Sequence, residues 1–359
     1  MQSRRSHIIL PMLWAGVISA CAASPPGDSW SPPDPEDTVA PAGSPVAVHG
    51  QLKVVGTQLV DQNDVPVQLK GVSSMWLNYE SRSFSKSKQA LSFMRDNWKV
   101  SVIRAAMGST PNPPVSIAKK VDTIIRNALA LGVYVIVDWH TETAVEQQEE
   151  AIAYFTDLAT KYGAYPNVIW EPYNEPRGFD WPEIKPYHQA VVDAIRAIDP
   201  DNLIVLGTPN WSQYVDVAAK DPVAGTNLLY TLHFYSCSHL EWLRARGDAA
   251  IASGAALFIT EFGATHSDGG VPSTDPARDH YYVCEDEANL WFDWMATNNI
   301  SGVAWKLDAC ADSSCLLTSA ASVNGPWTDD VLTTDAGGEA AGNGIKGGHG
   351  LFVVNWLRQ

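Results

Sequence analysis

Val133-Tyr134-Val135-Ile136-Val137-Asp138-Trp139-His140 is an apolar, largely β-branched run that turns polar only toward its end. A short unbroken run of this kind reads as a strand buried on both faces, the habit of a parallel sheet. On either side, Ser116–Leu131 and Val145–Tyr162 carry helical periodicity. The same unit recurs outward in both directions. Candidate strands are Leu69–Ser73, Val102–Ala106, Val133–Trp139, Val168–Tyr173, Leu203–Gly207, Leu228–His233, Leu257–Thr260 and Gly302–Trp305; further helices fall at Ile184–Ile198, Leu240–Ala252 and Glu285–Asn298. Eight buried strands with helices between them count out an α/β fold, a closed (β/α)₈ TIM barrel. An open doubly wound sheet would need a Gly-rich phosphate turn after its first strand, and none is there. The last unit is the least regular, with a Gly- and Asp-rich segment from Ser313 to Gly350 before Leu351–Trp356.

The barrel is expected to fill residues 47–359, opening with an N-terminal β-hairpin cap: Leu52–Val55, Leu59–Val60, a polar turn at Asp61–Asp64, then Val65–Leu69. Residues 22–46 are crowded with Pro, Asp, Ser and Gly, most of all from Ser24 to Pro45, and read as an extended, disordered linker. Residues 1–21 read as a signal peptide: Arg4 and Arg5, then an apolar stretch from Ile8 to Ala20, too short for a bilayer span. Ile18-Ser19-Ala20-Cys21 resembles a bacterial lipobox, which would put a lipid and a membrane anchor on Cys21. Ala20-Cys21-Ala22 also fits ordinary signal cleavage. Both readings place the mature chain outside the cytoplasm, secreted or lipid-anchored at the cell surface.

In an oxidising compartment the other cysteines, Cys237, Cys284, Cys310 and Cys315, are expected to form disulfides, and four allow three pairings. Cys310 with Cys315 closes a short loop and leaves Cys237 with Cys284. No C-x-x-C pair or His at ligand spacing accompanies them, so no metal is expected. A net charge of −16 over 359 residues argues against a nucleic-acid partner, which needs clustered Lys and Arg. It is compatible with a neutral polysaccharide. Part of the 14 Trp fills the core, and the rest offers indole faces on which sugar rings stack.

In such barrels the active site lies at the C-terminal ends of the strands. There the sequence places Arg104 on the second strand, His140 on the third, Asn174 and Glu175 on the fourth, His233 and Tyr235 on the sixth, Glu261 on the seventh and Trp305 on the eighth. One polar residue at a strand end often only caps the next helix. Eight on one rim, with two carboxylates three units apart, exceed what capping explains. Paired carboxylic acids across a cleft are what glycosidic bond cleavage needs: one protonates the leaving oxygen, the other attacks the anomeric carbon or activates water. Arg104 and Tyr235 would hold Glu261 as a carboxylate. Asn174 would meet the sugar 2-hydroxyl, His140 and His233 other hydroxyls, and Trp305 would floor the ring. Glu175 should be kept protonated by burial and by the charge of Glu261.

Val102-Ile103-Arg104-Ala105-Ala106-Met107, Asp138-Trp139-His140, Asn174-Glu175-Pro176, Thr231-Leu232-His233-Phe234-Tyr235 and Thr260-Glu261-Phe262-Gly263 resemble glycoside hydrolase family 5, most closely its bacterial endoglucanase (cellulase) subfamily. So do Ile195–Asn202 and Gly207-Thr208-Pro209-Asn210-Trp211-Ser212-Gln213. The resemblance runs from about Gly50 to Trp305. It implies endo-acting retention by double displacement on β-1,4-glucan, Glu175 as acid/base, Glu261 as nucleophile, no cofactor, and a monomer. It also points to Trp76, Tyr79 and Trp211 as sugar platforms. The chain departs from the pattern in three places: Phe262 where relatives carry Trp, the stretch Ser73–Tyr79 where they carry His near Met75 and Trp near Tyr79, and Cys310 and Asp312 where they often carry Lys and Glu. The glycone side is therefore expected to be rebuilt.

A β-mannanase or mixed-linkage glucanase on the same barrel is the rival enzyme, since only contacts near the 2-hydroxyl and the outer subsites need change. A non-catalytic carbohydrate-binding surface lipoprotein would keep the aromatics but need not keep both Glu175 and Glu261. The lipobox reading predicts a lipid-modified Cys21 as the first residue of the native protein. Mass spectrometry that found an unmodified chain beginning at Ala23 would overturn it.

Overall fold

The computed structural model describes residues 30–109, 115–267, 269–270, 272–275, 279–339 and 345–359. The signal segment and Cys21 lie outside them. Strands form at all eight expected places: β1 (Lys70–Ser74), β2 (Val102–Gly108), β3 (Tyr134–His140), β4 (Val168–Glu171), β5 (Ile204–Leu206), β6 in two pieces (Leu228–Tyr230 and Phe234–Tyr235), β7 (Phe258–Gly263) and β8 (Ser301–Leu307). They pair in parallel in chain order, and β8 pairs back onto β1. Both pieces of β6 reach β7, through a Tyr230–Leu257 bridge and through Phe234 and Tyr235 beside Phe262 and Gly263. That seam closes the barrel.

A helix follows each strand: Lys88–Phe93, Val115–Leu131, Gln148–Tyr162, Trp181–Arg196, Val215–Lys220, Glu241–Ala252, Glu285–Thr297 and Gly350–Leu357. Trp181–Arg196 starts three residues ahead of the expected Ile184, at a capping box of Asp180 and Glu183. β4 ends at Glu171 rather than Tyr173 because Pro172 has no N–H to give the ladder. The chain still runs on beside β3, with the Asn174 and Glu175 amides donating to the carbonyls of Trp139 and Thr141. Gly207 makes this path possible: a Cβ there would lie 2.2 Å from the Tyr173 carbonyl oxygen.

The hairpin forms between Lys53–Val55 and Gln58–Val60, turning through Gly56 at φ 61°. Leu52, Leu59, Val67 and Leu69 join Tyr134, Val205 and Phe258 in one apolar cluster, so the hairpin plugs the N-terminal end of the barrel. The compact unit begins at Pro33, not at 47. Part of the expected linker is thus folded. Ser44 caps a short helix, Pro45–His49, Val46 is buried in the same cluster, and its amide donates to the Gly132 carbonyl. The reason is one apolar residue beside a good N-cap in an otherwise polar stretch.

The irregular last unit forms a small antiparallel sheet from Tyr282–Val283, Ile345–Gly347 and Asp335–Glu339. It returns the chain to Gly350–Leu357, which lays Trp356 against Phe262 and Phe292. Phe262 is core here, so the indole N–H it lacks is not missed. Among the described residues no helix is long and apolar enough to cross a membrane.

Both expected disulfides are present, Cys237–Cys284 and Cys310–Cys315, with sequence separations of 47 and 5. Chain-entropy reasoning assigns about 4 kcal/mol to the longer loop and about 2 kcal/mol to the shorter. Denaturant unfolding should therefore show the Cys237→Ala/Cys284→Ala variant to be less stable than the Cys310→Ala/Cys315→Ala variant. The reverse order would mean that the short bridge holds a cooperative part of the fold.

Candidate active site

Side chains on a barrel strand alternate between interior and exterior, so i and i+2 stack as interior layers. Val102, Ile136, Ile169, Phe258 and Val303 form an apolar lower layer. Two residues further along each strand come Arg104, Asp138, Glu171, Thr260 and Trp305, all buried. Above an oily plug the strands thus carry a polar layer, and the cleft opens on top of it.

Arg104 is the centre of that layer and is fully buried. Its Nε donates to Glu171 Oε2 at 2.7 Å and its Nη2 to Glu171 Oε1 at 3.1 Å, a bidentate pair. Nη2 also reaches Asn174 Oδ1 at 2.6 Å and Asp138 Oδ2 at 2.9 Å. Nη1 donates to Glu261 Oε2 at 3.0 Å. The other Glu261 oxygen accepts from the Tyr235 hydroxyl at 2.6 Å. Three carboxylates around it hold the guanidinium protonated against its own burial.

Glu175 Oε1 lies 2.9 Å from His233 Nδ1. Burial pushes the Glu175 carboxyl up to about 8, Arg104 pulls it down, and the like charges that add to the rise are Glu142, Asp138 and Glu171. Burial was expected as a cause; the expected contribution of Glu261 is replaced by these three. Glu261 has its own donors in Arg104 and Tyr235. One carboxylate oxygen each of Glu175 and Glu261 lie within 4.8 Å of one another.

Trp76, His140, Asn174, Glu175, Trp211, His233, Tyr235, Glu261 and Trp305 line one cleft of about 400 Å³. Every expected site residue except Arg104 and Tyr79 is therefore on its wall. Arg104 lies beneath it. Tyr79 is 69% exposed, with its ring 5.7 Å from Trp76. The His140 ring stacks on Trp305 at 5.2 Å and 2°, and Trp76 meets His140 edge-on at 4.4 Å. Asp138 takes His140 Nδ1 at 2.6 Å, leaving Nε2 as the ring's remaining polar atom. His233 differs from expectation. Its Nδ1 faces Glu175 and its Nε2 faces Thr260 Oγ1 at 3.0 Å, so neither nitrogen is spare for a sugar hydroxyl. Burial keeps this imidazole neutral, lowering it to about 4.

Sequence reading missed Asp138, Glu171 and Thr260 as members of the site. The signal was there: Asp138 and Glu171 are acids inside apolar strands, at interior positions two or four residues before His140 and Glu175. Nor did it single out Lys306, whose Nζ pairs with Asp312 at 2.9 Å and lies 5.8 Å from the centre of the Trp305 ring. Gln213, His239 and Ser267 complete the cleft wall.

Paired carboxyls above a buried arginine, at the C-terminal mouth of a (β/α)₈ barrel and beside aromatic walls, define the glycoside-hydrolase class of barrel. Residues 60–311 match the family described as cellulase (glycosyl hydrolase family 5), and the chain belongs to that family. It is 42% identical to an endoglucanase of Clostridium saccharobutylicum over 302 residues, 79% of this chain and 63% of that protein. It is 37% identical to endoglucanase Z of Dickeya dadantii, over 85% of this chain and 66% of that protein. The chain thus spans a little under two thirds of these relatives. Among solved structures, the cellulase Cel5C_n superposes with a TM-score of 0.77 at 33% identity, covering 89% of this chain and 96% of that one. The catalytic domain of Thermobifida fusca endoglucanase Cel5A, in complex with cellotetraose, gives 0.75 at 28% identity, over 88% and 100%.

The raised Glu175 carboxyl makes stability depend on pH with a definite sign. Between the ordinary carboxylate value and about 8, the folded chain binds this proton and the unfolded chain does not. The stability tied to Glu175 is therefore complete at acid pH and is lost as pH rises through that window. Glu175→Gln removes the term. Its melting temperature should fall less steeply than the wild type's from about pH 5 to pH 8, exceeding it by about 3 °C or more at the upper end. Parallel melting curves for the two proteins would mean that Glu175 is not held protonated.

Proposed function

We propose that the chain is an endo-acting, retaining glycoside hydrolase that cleaves β-1,4-glucosidic bonds of cellulose or related β-glucans. The observation that carries this reading is the approach of the Glu175 and Glu261 carboxylates to within 4.8 Å. Direct attack needs a separation of about 5 Å, whereas a water-mediated inverting mechanism needs roughly 6.5–9.5 Å. Glu175, kept protonated by burial, gives its proton to the leaving oxygen while a Glu261 carboxylate oxygen bonds to the anomeric carbon. Water then displaces Glu261 as Glu175 takes the water's proton back. Asn174 has its oxygen on Arg104 and its NH₂ left to donate to the sugar 2-hydroxyl. Trp305 floors the reacting ring, and Trp211, Trp76 and Tyr79 extend the aromatic surface along the cleft.

The endoglucanase names of the relatives and the cellotetraose bound to the Thermobifida domain support β-glucan as the substrate class. The signal peptide at residues 1–21, export, the lipid on Cys21 and a monomeric state rest on the sequence and belong to this proposal. With them, an enzyme outside the cell would meet a polymer too large to enter.

Proton NMR early in hydrolysis of a soluble cello-oligosaccharide should show the β-anomer first, and Glu261→Gln should lower kcat by about 10³-fold or more. Release of the α-anomer first would overturn the role assignment. Activity on carboxymethylcellulose should exceed that on mannan and lichenan; a reversed order would move the substrate to the rival polysaccharide.

A further inference from the structure

The buried contacts of Glu175 continue beyond His233. His233 Nε2 lies 3.0 Å from Thr260 Oγ1, and Thr260 Oγ1 lies 2.6 Å from Glu171 Oε1. Thr231 Oγ1 lies 2.8 Å from the same Thr260 oxygen and accepts the Thr260 amide at 3.2 Å. Glu171 is in turn clasped by Arg104. The chain Glu175–His233–Thr260–Glu171 has three links, each needing one hydrogen. A neutral imidazole and a hydroxyl supply one hydrogen apiece. The third must be a carboxyl proton, so all three links are made when one of the two glutamates is protonated.

Two features decide which one. Glu171 receives two N–H groups of Arg104, an arrangement that favours a carboxylate. Glu175 has no such pair. With Glu171 ionised, Thr260 must donate to it, which leaves the Thr260 lone pairs to accept from Thr231 and from His233 Nε2–H. Nδ1 is then a bare acceptor facing Glu175, satisfied only by a protonated carboxyl. Each of the three links thereby has one hydrogen.

We infer that Glu171 and Thr260 are positioning residues for Glu175: through His233 they fix the Nε2–H tautomer and so hold the acid's proton in place. The inference rests on Glu175 acting as acid/base. Rotation about its C–O bond turns that hydrogen from Nδ1 to a leaving oxygen, and the O–H bond breaks as the leaving-group O–H bond forms. The carboxylate left behind faces an Nδ1 lone pair. The chain regains its third hydrogen only when Glu175 takes one from the attacking water, so the same tautomer favours the base half of the cycle. The charged and titratable groups facing Glu175 are Arg104, Asp138, Glu142, Glu171, Glu261 and His233.

Thr260→Val removes the hydroxyl at nearly constant shape and frees His233 to place its hydrogen on Nδ1, where it stabilises the Glu175 carboxylate. The basic limb of kcat/KM on a soluble cello-oligosaccharide should then move to lower pH by about one unit or more. Thr260→Ser, which keeps the hydroxyl, should retain the wild-type limb. Loss of activity should be much smaller on dinitrophenyl β-cellobioside, whose leaving group departs without a proton. Nitrogen NMR of imidazole-labelled protein should show His233 as the Nε2–H tautomer in the wild type and in Thr260→Ser, and mixed in Thr260→Val. An unmoved limb, equal losses on both substrates, or an Nδ1–H tautomer in the wild type would overturn the inference. A wild type inactive on every glucan would overturn the acid/base reading instead, while the tautomer measurement would still decide whether the chain is polarised as described.

Discussion

One fully buried guanidinium organises this site. Arg104 contacts Asp138, Glu171 and Glu261 directly and reaches the Asn174 oxygen as well. A cation in that position without partners would cost several kcal/mol, and the same holds for each carboxylate without the cation. The cluster therefore persists only as a whole. One positive charge cannot balance three buried negative ones and a fourth nearby, so the site sheds charge by keeping protons. Burial lifts Asp138 and Glu175 each to about 8; Glu171, clasped by two N–H groups of Arg104, rises only to about 7 and is the readiest of the three to ionise, while His140 and His233 are driven toward neutrality. The protonated acid that the proposed mechanism asks of Glu175 follows from this charge balance.

The cluster can form because five strands each turn a side chain inward just above the apolar plug, close enough for the long Arg104 to reach its partners. Pairing sets Asp138 beside Glu171, and Arg104 beside Ser73 and Ile136, and so fixes which side chains can meet. A one-residue slip in any strand would turn its polar member outward and expose an apolar neighbour to the cation. The oily layer below anchors the register, since Val102, Ile136, Ile169, Phe258 and Val303 lose contact in the same slip. Stability of the lower barrel and accuracy of the upper site are thus one constraint.

This division explains what could be read from the residues beforehand. Strand positions were legible because apolar runs such as Val133–Val137 have no other stable use in a chain of this composition. The cleft wall was legible because barrels display strand ends, and His140, Glu175, Tyr235 and Glu261 stand at those ends. The polar layer beneath was not. Asp138, Glu171 and Thr260 are embedded in apolar strands, where a lone polar residue is read as an edge or an interruption. Only closure of the barrel shows that they meet one another and Arg104. Lys306 escaped for a related reason: its partner Asp312 lies across a loop closed by Cys310 and Cys315, a geometry that spacing does not encode. Residues 33–46 read as linker because their composition is polar, yet a capped turn and one buried valine suffice to dock them.

Trp211 is tied to Glu175 by backbone rather than by charge. Asn210, Trp211 and Ser212 all have left-handed φ values, 59°, 56° and 54°, in a segment with no glycine. Each costs about 1 kcal/mol or more relative to an ordinary conformation, so their neighbours must hold them. The Trp211 amide donates to the Pro176 carbonyl, Ser212 Oγ to the Asn174 carbonyl, and the His233 amide to the Ser212 carbonyl. The strained turn is therefore laced to the loop that carries Asn174 and Glu175 and to the strand that carries His233. Arg177, paired with Glu142 at 3.0 Å, covers the Trp211 ring with its guanidinium 5.2 Å from the ring centre. In the proposed reading, a sugar that presses on this indole would press on the same backbone that sets the position of Glu175. The positions of Trp211 and Glu175 are in this way mechanically one element, held by the backbone against its own strain.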